Sequence, residues 1–177
     1  MVTPDMKTDA PHDGGCACGA VRYRMAGPPL FVHACHCTWC QRETGGPCAV
    51  NALIETDRVR VLQGAPAVTE TPSASGAGQQ IVRCPDCKVA LWSHYALPRC
   101  LATRIAFVRA GTLDAPNACP PDIHIFTYSK QDWVVFPNGA LVMPGYYRWQ
   151  DHWPADSLAR WQMLRQSLKK GASAGDG

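Results

Sequence analysis

No window of this 177-residue chain approaches the roughly 18 uninterrupted apolar residues that a membrane-spanning helix needs. The segment from Met1 to Asp13 has no basic-then-apolar run of the kind that marks a secretion signal. Charge of one sign is scarce too: 17 Lys and Arg stand against 14 Asp and Glu, a net +3, and no Lys/Arg-rich run stands out before the C-terminus. Neither a membrane nor a nucleic acid is therefore an expected partner. No internal repeat at fixed period is visible. Charged residues at 18% and hydrophobic residues at 46% are ordinary globular usage, which excludes intrinsic disorder for most of the chain and predicts one compact domain. A reducing, cytoplasmic location is the expectation that follows.

Cysteine is abundant, yet short of a disulfide scaffold. Ten in 177 is about 6%, below the roughly 8–10% of small disulfide-stapled domains. Closely spaced cysteines in a cytosolic chain point instead to metal binding or redox chemistry.

Residues 1–13 are polar and predicted to be flexible, with the fold starting near Gly14. From there to about Trp133 the chain reads as short β segments punctuated by Gly and Pro: 20–25, 47–54, 58–62, 80–84, 89–92, 104–109 and 123–128. Val21 and Tyr23 are expected on one face of the first segment, with Arg22 and Arg24 on the other. The stretch from Gly64 to Gly78 has almost no large apolar residue and is read as a loop, either a plain hairpin connection or a lid. Within 151–171, Leu158, Trp161, Leu164 and Leu168 recur at helical spacing. Asp156 or Ser157 can cap that helix, Lys169 and Lys170 suit its negative end, and Gly171 can stop it. This amphipathic helix is read as a packing element or the contact of a homodimer, and residues 172–177 as a flexible tail. The fold class expected is mainly β with a C-terminal helix.

Seven cysteines lie in three clusters: Cys16 and Cys18, then Cys35, Cys37 and Cys40, then Cys84 and Cys87. Two thiolates two residues apart on extended backbone share a face, and a Cys-X-X-Cys turn lets two thiolates meet one ion. Zinc is the default for such sets, since a tetrahedron of soft sulfurs suits it and it does no redox chemistry. Structural zinc sites are closed by four protein ligands, whereas catalytic ones keep three and leave a position open. Seven divides as four plus three. The two pairs would make a Cys₄ structural site, with a redox-active Cys84-Pro85-Asp86-Cys87 as the alternative. The triplet would hold a second zinc with an open position, unless His33, His36 or another histidine closes it. An open site of this type favours a thiol ligand, whose sulfur can then add to a small carbonyl. Cys48, Cys100 and Cys119 have no spaced partners and read as small buried hydrophobes.

The run Gly14-Gly15-Cys16-Ala17-Cys18-Gly19-Ala20-Val21-Arg22-Tyr23, the run Cys35-His36-Cys37-Thr38-Trp39-Cys40-Gln41-Arg42 with Gly45, and the Cys84-Pro85-Asp86-Cys87 knuckle together carry a resemblance, completed by Ala110-Gly111-Thr112-Leu113-Asp114 and His124-Ile125. Over roughly residues 14 to 147 the chain resembles the glutathione-dependent formaldehyde-activating enzyme family, also called the centromere protein V family. The resemblance implies a zinc domain over 14–150 with an Mss4-like β-rich fold and two zinc ions per chain. It implies a structural zinc on Cys16, Cys18, Cys84 and Cys87 and a catalytic zinc on Cys35, Cys37 and Cys40. It further implies condensation of glutathione, or a similar thiol, with formaldehyde or a related small aldehyde to S-hydroxymethylglutathione, a carbon–sulfur lyase reaction. The competing reading is a non-catalytic binding module in which both zinc ions are structural. Lys88 departs from the pattern, since relatives usually carry Gly directly after the second knuckle cysteine.

Glutathione brings two carboxylates, so cations are expected near the site. Arg42 is the first candidate contact, with Arg22 and Lys88 behind it. His36 is expected either to support the ligands from behind or to face solvent, rather than to orient a proton in catalysis, and His124 is read as either a pocket or a core residue. Trp39, Trp92 and Trp133 are read as core, and Tyr146-Tyr147-Arg148-Trp149 with Trp153 as the cover of a domain edge or a partner surface.

Overall fold

The computed structural model describes residues 9–73, 75–95 and 103–173. Among them are ten strands and two α-helices: β1 (His12–Gly15), β2 (Arg22–Met25), β3 (Phe31–Cys35), α1 (Thr38–Thr44), β4 (Ala49–Glu55), β5 (Val59–Gln63), β6 (Ala67–Thr71), β7 (Gln79–Arg83), β8 (Ala90–Tyr95), β9 (Ile105–Arg109), β10 (Ile123–Ile125) and α2 (Ala155–Ser173). A three-stranded sheet in the order β1-β2-β5 packs beside a seven-stranded sheet in the order β10-β3-β4-β9-β8-β7-β6. The pairings are antiparallel except β10 with β3. The protein is mainly β with a C-terminal helix.

Strand alternation builds two cores on opposite faces of the large sheet. On β4, Ala52 and Ile54 join Val21, Tyr23, Met25, Trp92 and Val108 against the small sheet. The intervening Leu53, with Phe31, Ile105 and Ile123, faces Tyr147, Trp153 and Leu164 of the C-terminal segment. Burying each large apolar side chain contributes about 1.5–3 kcal/mol. The alternation expected on β2 is present: Val21 and Tyr23 are fully buried, Arg22 is half-buried and Arg24 is exposed.

Helix α2 is held to this same chain. The Arg160 guanidinium forks onto the Glu55 carboxylate at the end of β4 and donates to the Pro28 carbonyl at 2.9 Å. Trp161 packs against Trp149 and Trp153. The helix begins at Ala155 after Pro154, a residue before the predicted caps, and Ser157 is buried inside its first turn. It also runs through Gly171 to Ser173, because glycine only weakens a helix and the turn continues around it.

Other differences have equally local causes. β1 takes in His12 and Asp13, where Arg24 of β2 forks onto Asp13 at 2.6 and 2.7 Å. The Gly64–Gly78 stretch, read as loop, contains β6, an edge strand of small and polar residues that pairs with β7 and needs no core contacts of its own. The segment predicted over 123–128 stops as strand at Ile125, because Phe126 takes left-handed backbone (φ 54) and turns the chain into a 3-10 turn at Thr127–Ser129. Residues 1–8 and 174–177, and Cys100, lie outside the described residues. No helix among the described residues is long and apolar enough to cross a membrane.

Candidate metal centres and the cavity between them and solvent

The first thiol cluster staples the two sheets together. Cys16 follows β1 of the small sheet, while Cys84 and Cys87 sit in the turn between β7 and β8 of the large one. The four Sγ atoms of Cys16, Cys18, Cys84 and Cys87 all lie within 4.8 Å of one another. Cys16 to Cys18 is 3.5 Å and Cys18 to Cys84 is 3.7 Å. A tetrahedral ion with metal–sulfur bonds of about 2.3 Å needs sulfur–sulfur edges of about 3.8 Å, so the set fits such an ion. Backbone N–H groups already point at the sulfurs: Val21 donates to Cys16 Sγ at 3.2 Å. The N–H groups of Val89 and Cys18 draw the Cys87 thiol down to about 6. Lys88 adopts left-handed backbone (φ 64), the conformation that glycine would take without strain, and its ammonium donates to the Pro85 carbonyl at 2.5 Å.

The second cluster is built where β3 runs into α1. Cys35 ends β3, Cys37 caps α1 through its sulfur, which accepts from the Cys40 N–H at 3.4 Å, and Cys40 sits one turn in. Gly45, left-handed at φ 68, ends the helix after seven residues. The three Sγ atoms lie within 4.8 Å of one another, and no His, Asp or Glu atom among the described residues joins them. Cys35 donates to Cys37 at 3.5 Å. Bonds from Cys35 and Cys40, then from backbone N–H groups, hold the Cys37 thiol well below its ordinary range, whereas bonds to Cys37 and Cys40, with burial, raise that of Cys35. Cys37 is therefore the first of the three to ionise.

The three sulfurs form part of the wall of a cavity of about 380 Å³. Aromatic side chains from five different segments make most of the remainder: Trp39, Tyr95, Phe107, Phe126, Tyr128 and Tyr146. Tyr95 and Phe107 meet edge to face at 5.0 Å across β8 and β9. The Tyr95 phenol is raised, chiefly by loss of solvent, while Tyr146 stays 48% exposed at the rim of the cavity. Burial pushes the His33 imidazole down to about 3. Trp153 donates its indole N–H to the Tyr147 hydroxyl at 2.7 Å, leaving that hydroxyl's proton for Nε2 of the neutral His33.

Residues 11–129 match the sequence profile described as glutathione-dependent formaldehyde-activating enzyme. The chain belongs to the glutathione-dependent formaldehyde-activating enzyme family. A Halomonas elongata protein bearing that enzyme's name provisionally is 30% identical over 170 residues, covering 90% of this chain and 98% of its own. A Rhodobacter sphaeroides protein of known crystal structure superposes with a TM-score of 0.45 at 18% identity, over 74% of this chain and 98% of that one.

Within this family member the other predicted site residues are dispersed. Arg42 is exposed on α1 and is not among the residues lining the cavity. Arg22 forks onto Asp114, and Lys88 belongs to the four-cysteine turn. His36 is buried, with Nε2 3.0 Å from Nδ1 of His124, and both rings pack on Phe136. Burial holds both imidazoles below their ordinary range, so this pair is neutral. Cys119 is buried as expected, whereas Cys48 is only half-buried. Of the three tryptophans read as core, only Trp92 is; Trp39 lines the cavity and Trp133 is 68% exposed. Tyr147 and Trp153 do cover the sheet, and Tyr146 faces the cavity.

Two contributors were missed from sequence. Asn51 lines the cavity from the middle of β4, and Arg109, its cross-strand partner on β9, is buried behind it. A polar residue inside the otherwise apolar run Ala49–Ile54 was the available signal for Asn51. Arg109 carries none, because a strand-terminal arginine is ordinarily solvated.

Proposed function

We propose that the protein is a zinc-dependent enzyme that forms and breaks the carbon–sulfur bond between a thiol and formaldehyde or a related small aldehyde. The observation that carries this reading is the convergence of three thiols, with no fourth protein ligand among the described residues, on a cavity large enough for a small organic ligand. The family assignment supports the same reaction class.

Cys16, Cys18, Cys84 and Cys87 would hold one zinc as a closed structural site, and Cys35, Cys37 and Cys40 a second with a position left for substrate. Bound there, zinc would supply an acidified position at which a thiol is held as its thiolate at neutral pH. Aromatic side chains, part-buried at Trp39, Tyr95, Phe107 and Phe126, surround that position. Tyr95 and Tyr146, protonated at neutral pH and without a hydrogen-bond partner among the described residues, are the donors available to a carbonyl oxygen. The sulfur lone pair forms the bond to the carbonyl carbon, the π pair passes to oxygen, and oxygen takes up the proton the thiol gave up. The product is the hemithioacetal, an S-hydroxyalkyl thioether, S-hydroxymethylglutathione when glutathione and formaldehyde are the pair, with no oxidant or reductant needed.

The test is two-dimensional exchange NMR on formaldehyde with a panel of thiols that includes glutathione. The fully metallated protein is expected to accelerate exchange between free components and adduct for at least one thiol, and Cys37→Ser to abolish the effect. An unchanged rate across the panel refutes the function.

A further inference from the structure

We propose that the cavity beside the three cysteines selects an uncharged, aryl-bearing thiol in preference to a carboxylate-bearing one such as glutathione. The inference rests on the preceding reading, that a thiol occupies the open position there, and names the class of thiol.

Charge is the first ground. No Lys, Arg, Asp or Glu among the described residues lines the cavity. Arg109, the register partner of the lining residue Asn51, directs its guanidinium at the Asn51 carboxamide oxygen. Three thiolates around one divalent ion sum to −1, so a carboxylate brought close meets repulsion that no cation lining the cavity among the described residues offsets.

Hydrogen-bonding capacity is the second. Apart from the tyrosine hydroxyls, the polar side chains His33, Asn51, Ser73 and Ser75 of the wall are already engaged with the protein. His33 is bonded through Nε2 to the Tyr147 hydroxyl. Asn51 donates to the Ala49 carbonyl at 3.2 Å and accepts from Arg109. Ser73 and Ser75 pair at 3.0 Å, and Ser73 Oγ also accepts from the Gly78 N–H at 3.1 Å. The two carboxylates, ammonium and amides of a tripeptide thiol would lose their water here and find few replacements.

Shape is the third. With the sulfur fixed at the cysteines, the body of the ligand meets Trp39, Tyr95, Phe107, Phe126, Tyr128 and Tyr146. Rings at several orientations offer a flat apolar group both edge and face contacts. The Tyr95 and Tyr146 hydroxyls remain for one carbonyl oxygen, which matches the polarity of an aldehyde and not that of a peptide.

The experiment uses the full-length protein with cobalt in both sites and follows the thiolate-to-cobalt and d–d bands during titration. The probes are 2-phenylethanethiol, 3-mercaptopropionate and glutathione at one pH. The expected result is half-saturation by 2-phenylethanethiol at a concentration at least tenfold below that of either carboxylate thiol. Phe107→Ala should shrink that ratio several-fold, and Tyr128→Ala, at a residue 74% exposed, provides a second variant should the first not fold. Glutathione or 3-mercaptopropionate binding as well as the aryl thiol would overturn the inference and leave the open position intact. So would an aryl preference untouched in the folded variants. A spectrum that no thiol moves, with two metal ions bound, would remove the open position and the inference together.

Discussion

The buried guanidinium of Arg109 donates to the side-chain oxygen of Asn51, its register partner across β4 and β9, immediately behind the three-cysteine cavity. The Cys37 sulfur and burial raise Cys40, and burial raises Tyr95; the Arg109 charge opposes both rises without reversing them. This places one positive charge behind a cluster of thiols without presenting it to the cavity. Arg109→Met should therefore leave the Asn51 oxygen unpaired and lower stability by about 2–3 kcal/mol in urea unfolding. Zinc competition with a chromophoric chelator should show weaker retention at the three-cysteine cluster by about tenfold, and unchanged retention would confine Arg109 to a structural role.

The two thiol clusters should fail differently. Cys16 is buried where the sheets meet, so Cys16→Ser removes a ligand whose metal contributes to folding itself; insoluble or unfolded protein is expected by circular dichroism. Cys37→Ser should remain folded, bind one zinc fewer by elemental analysis, and lose exchange activity. A soluble, active Cys16→Ser would show that the four-cysteine set is not a structural site.

Relief of strain at Lys88 offers a gain. Left-handed backbone costs a non-glycine residue about 1–2 kcal/mol, and the added freedom of glycine in the unfolded chain returns about 0.4–1 of it. Lys88→Gly is thus expected to stabilise by about 0.5–1 kcal/mol in urea unfolding. Lys88→Ala keeps the strained geometry and should give no gain; equal effects from the two would place the cost elsewhere.

Cys119 makes stability fall on the alkaline side. Burial pushes its thiol up to about 12, while the unfolded thiol ionises near ~8.5. The raised value in the folded state means that the contribution is fully present below pH ~8.5 and is lost as pH rises toward 12, at about 1.4 kcal/mol per unit. Between pH 8 and 10, Cys119→Ala should lose less stability than the parent by about 2 kcal/mol. In the folded, metallated protein at pH 8, iodoacetamide should modify half-buried Cys48 and spare Cys119; rapid labelling of Cys119 would contradict its burial.

Local chemistry was legible wherever a short span suffices. The alternation of Val21 to Arg24 set the faces of β2, since side-chain direction repeats every two residues. Spacing also separated the cysteines into four and three, and the structure brings together those same sets. β6 was invisible because its residues have little β preference and its existence depends on the β7 edge. Strand β3 was also passed over: all five of its residues are buried, so no polar alternation marks it.

The sequence by itself therefore determined the class of fold, the three cysteine runs and the family, because spacing, alternation and composition act over a few residues; the meeting of Cys16 and Cys18 with Cys84 and Cys87 is the work of the fold. The tertiary structure alone decided what the three-cysteine cluster faces. Trp39, Tyr95, Phe107, Tyr128 and Tyr146 come from separate elements, and in sequence Trp39 reads as core and Tyr146 as the cover of a domain edge or a partner surface. The pairing of β8 with β9 and the left-handed bend at Phe126 turn them toward one cavity, and the cross-strand register withdraws Arg109 from it. Long-range pairing sets the polarity of that wall, and with it the kind of thiol the site can accept.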